Sequence, residues 1–248
     1  MIMTSTCLIT GASSGIGREL ALHYAANGWT VYAVARSADK LDELSKNAGI
    51  HALPLDLTDN TALQSAALNM LEQGVVLDLL LLNAGTCEYV DAYDLDLAAF
   101  ERTFAINFHA VVAATKYFMP LLKASLAPQL AIVSSMAHFF PFTRSQAYGA
   151  SKAAVSYFTD SLRVDLAGSG ISVHLIEPGF VDTPLTQKND FSMPFLVSVG
   201  DAAERIYSGL LRGKSRIRFP RRLSVMLKLL SMLPYNLRNS VATRMKQQ

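Results

Sequence analysis

Cys7-Leu8-Ile9-Thr10-Gly11-Ala12-Ser13-Ser14-Gly15-Ile16-Gly17 joins a short β-favouring run to a glycine-rich turn. Arg18 to Ala26 follows with helical periodicity, so the order is strand, glycine turn, helix. Glycine at such a turn lets the backbone approach a pyrophosphate, and the free N–H groups and positive dipole end of the new helix hold the anion. Gly11, Ser13, Ser14, Gly15, Ile16 and Gly17 are therefore candidate dinucleotide contacts. A glycine-rich turn alone carries little weight, but here the strand and the helix stand where the mechanism needs them.

The same alternation continues outward. Trp29 to Ala35 reads as a second strand, and its end bears on the cofactor. Dinucleotide folds that prefer NAD place an acid there for the ribose 2′-hydroxyl, whereas a nearby arginine accommodates the 2′-phosphate of NADP. This chain has Ala35-Arg36 and no acid, which points to NADP(H); the plainer reading is a surface arginine capping a strand. A helix over Asp39–Lys46, a strand over Ile50–Leu55 running into Asp56-Leu57, and a helix over Asn60–Glu72 come next. Leu79–Leu82 has the near-continuous apolar run of a central strand buried on both faces, and it ends in Asn83-Ala84-Gly85. Phe100 to Leu122 reads as one long helix containing Asn107, Leu130–Val133 as a strand ending at Ser134-Ser135, and a helix runs from near Tyr148 to about Ala167. Ser172–Ile176 leads as a strand into Glu177-Pro178-Gly179; a loop over Phe180–Gly200, a helix near Ala202–Leu211 and a strand over Arg216–Phe219 complete the pattern. The expected fold is a Rossmann-type, doubly wound parallel α/β sheet of about seven strands, with its ligand crevice at the carboxyl ends of the strands. Residues 1–219 are expected to form that domain and residues 220–248 an extension.

The chain has 248 residues, 51% hydrophobic and 17% charged, which suits one globular α/β domain. Its two cysteines, Cys7 and Cys87, cannot build a disulfide framework, so a reduced, cytoplasmic interior is expected. Met1 to Thr10 has no basic segment ahead of an apolar core, and no run approaches the roughly 20 apolar residues of a membrane span. No metal-ligand spacing is seen. All 20 acidic residues lie at or before Glu204, whereas 11 of the 22 Lys and Arg lie from Arg205 onward. Residues 1–204 therefore carry −9 and residues 205–248 carry +11.

Tyr148-Gly149-Ala150-Ser151-Lys152 brings the reaction chemistry. Residues i and i+4 share a helix face, so a phenol stands beside an ammonium. Bringing a tyrosine from about pH 10 toward neutrality needs roughly 4 kcal/mol. A cation about 5 Å away at an effective dielectric of about 20 supplies on the order of 3 kcal/mol. The pair is a candidate proton donor and acceptor.

Taken together, these residues resemble the short-chain dehydrogenase/reductase family over about residues 4 to 219. Thr10 to Gly17 looks like its cofactor turn, Asp56 with Leu57 its adenine contact, and Asn83-Ala84-Gly85 its sheet-stabilising motif. Tyr148 and Lys152 look like its catalytic Tyr-x-x-x-Lys, with Ser135 as the serine thirteen residues earlier and Asn107 as the fourth catalytic position. Ser134 competes for the serine role. Pro178, Gly179, Val181 and Thr183 resemble the segment that closes over the nicotinamide. The resemblance implies that Ser135 holds the substrate oxygen, Tyr148 delivers a proton to it, Lys152 lowers the tyrosine pKa and binds the ribose, and Asn107 anchors a relay water. It also implies a homodimer or homotetramer built through the helices holding Asn107 and Tyr148. A different class of function, a cofactor-sensing or scaffold protein without turnover, is disfavoured by the presence of both Tyr148 and Lys152.

His138 stands where the family commonly has glycine, amid an unusually aromatic stretch, and packing suits it better than catalysis. For substrate contacts the candidates are Met136, His138 and Phe142 after the serine, and Leu185 and Phe195 in the loop over Pro184–Val199. Their character suggests a hydrophobic ketone, aldehyde or acyl-chain carbonyl, or else simple packing of the loop. In the extension, Arg221, Ser224, Lys228 and Ser231 form a narrow polar stripe on a very apolar helix, Pro234 interrupts it, and Leu237, Val241 and Met245 suggest a second short helix. Basic charge beside apolar surface fits a peripheral contact with anionic lipid. The rival is packing on the body or on another subunit; nucleic acid is disfavoured by the lack of a recognition motif.

Overall fold

The computed structural model describes residues 4–189 and 191–245. Met1, Met3 and Lys246, which entered the readings of the N-terminus and the basic tail, lie outside them, as does the side chain of Met245. Seven strands form one sheet: β1 Thr6–Thr10, β2 Thr30–Ala35, β3 Ile50–Pro54, β4 Leu79–Leu82, β5 Gln129–Val133, β6 Ser172–Pro178 and β7 Arg216–Phe219. Every pairing is parallel, in the order β3-β2-β1-β4-β5-β6-β7. The chain winds outward from β1 in one direction and then, from β4, in the other, so a crevice opens between the ends of β1 and β4.

Parallel strands need crossovers, and helices α1 Gly15–Ala26, α2 Ala38–Ser45, α3 Asn60–Glu72, α4 Leu97–Phe104, α5 Ala110–Lys123, α6 Gln146–Asp165 and α7 Val199–Leu211 cover both faces of the sheet. The alternate side chains of the central strands divide between two cores. Cys7, Ile9, Leu79 and Leu81 face one with Leu20 and Ile206. Leu8, Leu80 and Leu82 face the other with Leu63, Phe118 and Val155. That is why Leu79–Leu82 reads as an unbroken apolar run.

The long helix expected over Phe100–Leu122 is interrupted. Between α4 and α5 the backbone takes a π-helical turn over Ala105–His109, and Asn107 is the buried residue at its centre. Such widened turns occur mostly where a side chain is re-aimed at a site. β6 runs two residues beyond the expected strand because Glu177 and Pro178 pair in register with Arg218 and Phe219 of β7.

The tail forms α8 Arg221–Ser231 and α9 Tyr235–Met245. Leu223 and Leu227 bury themselves against Met136 and Phe140, so α8 packs on the body. The polar stripe does not all face water: Arg221 and Lys228 are exposed, but Ser224 is buried in the seam between its leucine neighbours. Among the described residues, no helix is long and apolar enough to cross a membrane.

Candidate active site

At the carboxyl end of β1 the chain is braced before it turns. Thr10 Oγ1 accepts hydrogen bonds from the backbone N–H groups of Asn83 (2.9 Å) and Ala84 (3.1 Å), and Asn83 Nδ2 donates to the Thr10 carbonyl (3.0 Å). Thr10 thus locks β1 to β4 and sets the mouth of the crevice, a role the sequence did not single out. Gly11 turns there with φ +69°, and a Cβ at Gly17 would lie 2.3 Å from the Gly11 carbonyl oxygen, so neither tolerates a side chain. Ser14 precedes α1 without capping it, and the first turn of α1 contains no acid. Its N–H groups and dipole are left to an anion.

A cleft of about 350 Å³ opens at this point. Gly11, Ser13, Ser14, Gly15 and Ile16 line its floor, Arg36, Asp56 and Leu57 one end, and Ala84 and Gly85 the middle. Asn83 lines it beside the turn, and Pro178, Gly179, Val181, Thr183 and Leu185 line it together with Ser135, Tyr148 and Lys152. Gly17 and Asn107 stand behind the surface and shape it. Asp56 accepts from the N–H and hydroxyl of Thr58, which hold its carboxyl below the usual range with help from the charge of Arg36. Arg36 itself is exposed and makes no ion pair among the described residues. A free helix N-terminus, a glycine-rich turn and an unpaired guanidinium along one cleft fit a phosphorylated dinucleotide.

The reactive groups project from α6. Lys152 is buried, its Nζ donating to the Val133 carbonyl (3.0 Å) and lying 5.8 Å from the centre of the Tyr148 ring. Ser134 and Ser135 both reach the cleft but differ in bonding. The Ser134 hydroxyl donates to the Lys152 carbonyl (2.9 Å) and meets Ser156 Oγ (2.6 Å), which ties it to α6. Ser135 Oγ accepts from the N–H of Ala137 (3.1 Å) and faces Tyr148. Asn107 donates to the Thr86 carbonyl (2.9 Å) and to Ser151 Oγ (3.0 Å), and its Oδ1 accepts from the Thr86 N–H (2.8 Å). One lone pair on Oδ1 is left over. A Cβ on Gly85 would lie 3.1 Å from that oxygen and 3.4 Å from Lys152 Nζ, so the glycine keeps open the space between them.

The electrostatics differ from the expectation built on Tyr148 and Lys152 alone. Burial pushes the Tyr148 phenol up to about 12, with Ser135 pulling the other way, and pushes Lys152 down to about 8. Desolvation outweighs the attraction between phenolate and ammonium when both leave water together. At neutral pH the pair is a phenol beside an ammonium.

Behind Ser135 lies an ion-pair network the sequence did not reveal. His138 Nε2 stands 2.7 Å from Oε1 of Glu177, whose other oxygen accepts from Arg218 Nε (2.6 Å), and Arg216 lies 3.6 Å away. Arg216 also pairs with Asp160 of α6. Burial raises the Glu177 pKa, but the hydrogen bonds from His138 and Arg218 and the charges of Arg218 and Arg216 overcome it and hold the carboxyl below its usual range. His138 is therefore tied to the residue just before Pro178-Gly179 and does not line the cleft. Met136 and Phe142 likewise lie in the seam under α8, and Phe195 stands half-exposed on the outer loop. Of the five candidate substrate contacts only Leu185 reaches the cleft wall. Three aromatic side chains gather beside the loop after Pro184: Phe191 packs edge-on to both Tyr89 (6.1 Å) and Phe180 (6.0 Å), Tyr89 hydrogen-bonds Asn189, and Phe180 also joins the seam under α8. Tyr89 carried no sequence signal, since its contacts with Asn189 and Phe191 join segments about 100 residues apart.

The sequence signature described as short chain dehydrogenase matches residues 5–192. An uncharacterized oxidoreductase of Myxococcus xanthus is 37% identical over 248 residues, covering 97% of each chain. The NADPH-dependent 1-acyldihydroxyacetone phosphate reductase of Schizosaccharomyces pombe is 35% identical over 73% of this chain and 61% of its own. The fold is also that of a short-chain dehydrogenase from Streptomyces avermitilis, with TM-score 0.83 at 22% identity over 99% of this chain and 96% of the other.

Proposed function

The chain belongs to the short-chain dehydrogenase family and is an oxidoreductase acting on CH–OH groups, and from that premise we propose that it interconverts a carbonyl and an alcohol on a hydrophobic substrate using NADP(H). The observation that carries this reading is the meeting of Tyr148, Lys152 and Ser135 in one cleft with the open turn of α1 and the unpaired Arg36. When bound, the nicotinamide supplies or accepts hydride at the substrate carbon. Gly11 to Ile16 would hold its pyrophosphate, Arg36 a 2′-phosphate, and Lys152 the ribose hydroxyls.

In reduction, the Ser135 hydroxyl orients the substrate oxygen and Tyr148 gives it a proton. A phenol held near 12 is fully protonated at neutral pH, which suits that direction. Lys152 remains cationic below about 8 and stabilises the phenolate as the proton leaves. Asn107 Oδ1, with a lone pair left over, and Lys152 Nζ both border Gly85, which supports a relay water between them that returns the proton. Leu185, Val181 and Pro184 on the cleft wall support an apolar substrate. Exposed Tyr157 and Val164 on α6 support a homo-oligomer, and the two free cysteines fit a cytoplasmic setting.

Titration of the purified protein with NADPH and NADH, followed by turnover on a panel of hydrophobic ketones and aldehydes, tests the proposal. NADPH should bind more tightly, and Tyr148→Phe should lower kcat on the order of a thousandfold with cofactor binding retained. Binding without turnover across the panel would move the chain to the cofactor-sensing reading, and a preference for NADH would overturn the assignment of Arg36.

A further inference from the structure

α8 has two faces of different fate. Leu223, Ser224 and Leu227 turn inward, and Val225, Leu229 and Met232 turn outward at helical spacing of four and three residues, 59%, 62% and 75% exposed. Arg221 and Lys228 flank this apolar row on one side, and Arg222 with Met226 on the other. Tyr235 and Leu237 of α9 extend the exposed apolar surface. An apolar ridge between basic flanks is the arrangement of a helix lying in a bilayer interface.

We propose that the outer face of α8, with the start of α9, docks the enzyme on an anionic lipid surface. Charge decides between lipid and a second copy of the chain. α8 carries Arg221, Arg222 and Lys228, and no acidic residue follows Glu204, whereas Arg205, Arg216 and Arg218 are paired with acids elsewhere. A two-fold interface on this face would set one basic patch against its own copy. An anionic leaflet offers the opposite charge, at on the order of 1 kcal/mol per Lys or Arg. The ridge also lies in a useful place. A Cβ on Gly179, in the cleft wall, would sit 2.5 Å from Leu223 Cδ2, and Leu223 and Leu227 pack on Met136, the neighbour of Ser135. The docked surface is thus one helix diameter, about 10 Å, from the wall of the reaction cleft. Docking there would bring the wall of the reaction cleft close to a leaflet that carries acyl-chain carbonyls. This use of the surface rests on the apolar-substrate reading above, but the docking does not.

Co-sedimentation of the full chain with vesicles of phosphatidylcholine alone, and of phosphatidylcholine with phosphatidylglycerol, reads the docking without any turnover. Binding is expected to the anionic vesicles, weakening as salt rises. The Val225→Ser/Leu229→Ser/Met232→Ser variant should lose it. Arg221→Gln/Arg222→Gln/Lys228→Gln should weaken it on the order of a hundredfold, about 3 kcal/mol. All six positions are exposed, so an unchanged melting temperature establishes that each variant is folded. No anionic binding by the wild type, or equal binding by the wild type and the serine variant, overturns the proposal. So does a dimer that the serine variant dissolves, which would give the ridge to a second copy. A carbonyl panel that fails while vesicle binding holds counts against the substrate reading alone.

Discussion

The two walls of the cleft are built by different means. On the nucleotide side, Gly11, Gly15 and Gly17 and the first turn of α1 shape the surface with backbone, and the side chains that reach it, Arg36 and Asp56, stand near solvent. On the far side, the Ser135 turn, the start of the Pro178-Gly179 wall and β7 are joined by side chains across the sheet: His138 to Glu177, Glu177 to Arg218 and Arg216, Arg216 to Asp160. The surface of the first wall is local backbone, braced from behind by Thr10 on Asn83 and Ala84, and the second is held by charged side chains from distant segments. The first should answer to substitution through ligand affinity and the second through stability.

Breaking the second wall should give the larger effect. Glu177 is fully buried, and Glu177→Gln removes the one carboxylate that Arg218 and His138 share. Losing one partner of a buried pair costs about 3–5 kcal/mol, and since Arg218 and Arg216 keep some contact with water the lower figure applies. The melting temperature should fall by roughly 6–12 °C. The exposed pair Arg205–Asp201 is the control, since Arg205→Ala should shift it by no more than about 1–2 °C. Similar shifts for both would show that the network behind Ser135 is no brace.

The same division explains what the sequence revealed. β1, the glycine turn and α1 were readable because each signal lies within a few neighbouring residues. Asn60–Glu72, Leu79–Leu82 and Arg216–Phe219 kept their expected bounds for the same reason. Tyr148 and Lys152 were visible as an i, i+4 pair. The Glu177 network joins residues 39 and 41 positions apart, and the contact of Tyr89 with Phe191 spans about 100, so no local pattern records them. The π-helical turn at Asn107 was hidden because its cause, the grip on Thr86 and Ser151, comes from other elements. Met136 and Phe142 were plausible substrate contacts by composition, and only the packing of α8 turns them inward.

The first wall is sharpened by Arg36→Asp. The substitution removes the unpaired cation at the end of β2 and adds an acid suited to a ribose 2′-hydroxyl. Losing a charge-assisted contact of about 1.5–3 kcal/mol should weaken NADPH by roughly ten- to a hundredfold. NADH affinity should hold or improve, and the melting temperature of the free protein should barely move, since Arg36 is exposed. Equal loss of both cofactors in the titration would mean that Arg36 supports the turn rather than reading the phosphate.

Lys152 sits where the two walls meet, and its effect on stability depends on pH. Its pKa is lowered from 10.5 to about 8 by burial, so between those values the unfolded chain binds a proton that the folded chain does not. Stability contributed by this group must therefore rise as pH climbs from about 8 to 10.5, and below 8 the buried ammonium is a constant cost. The gap corresponds to about 3 kcal/mol at most. The hydrogen bond from Nζ to the Val133 carbonyl offsets part of that cost, and Lys152→Met leaves the carbonyl unpaired. Lys152→Met should thus be no less stable than the wild type near pH 7, and its advantage should shrink as pH rises past 8. Melting curves of the two proteins from pH 7 to pH 10 check the sign: a wild type that gains no ground on the variant over that interval would mean that burial does not lower the Lys152 pKa, and one that gains already from pH 7 would mean that Lys152 is neutral in the folded chain there, without an ammonium to stabilise the Tyr148 phenolate.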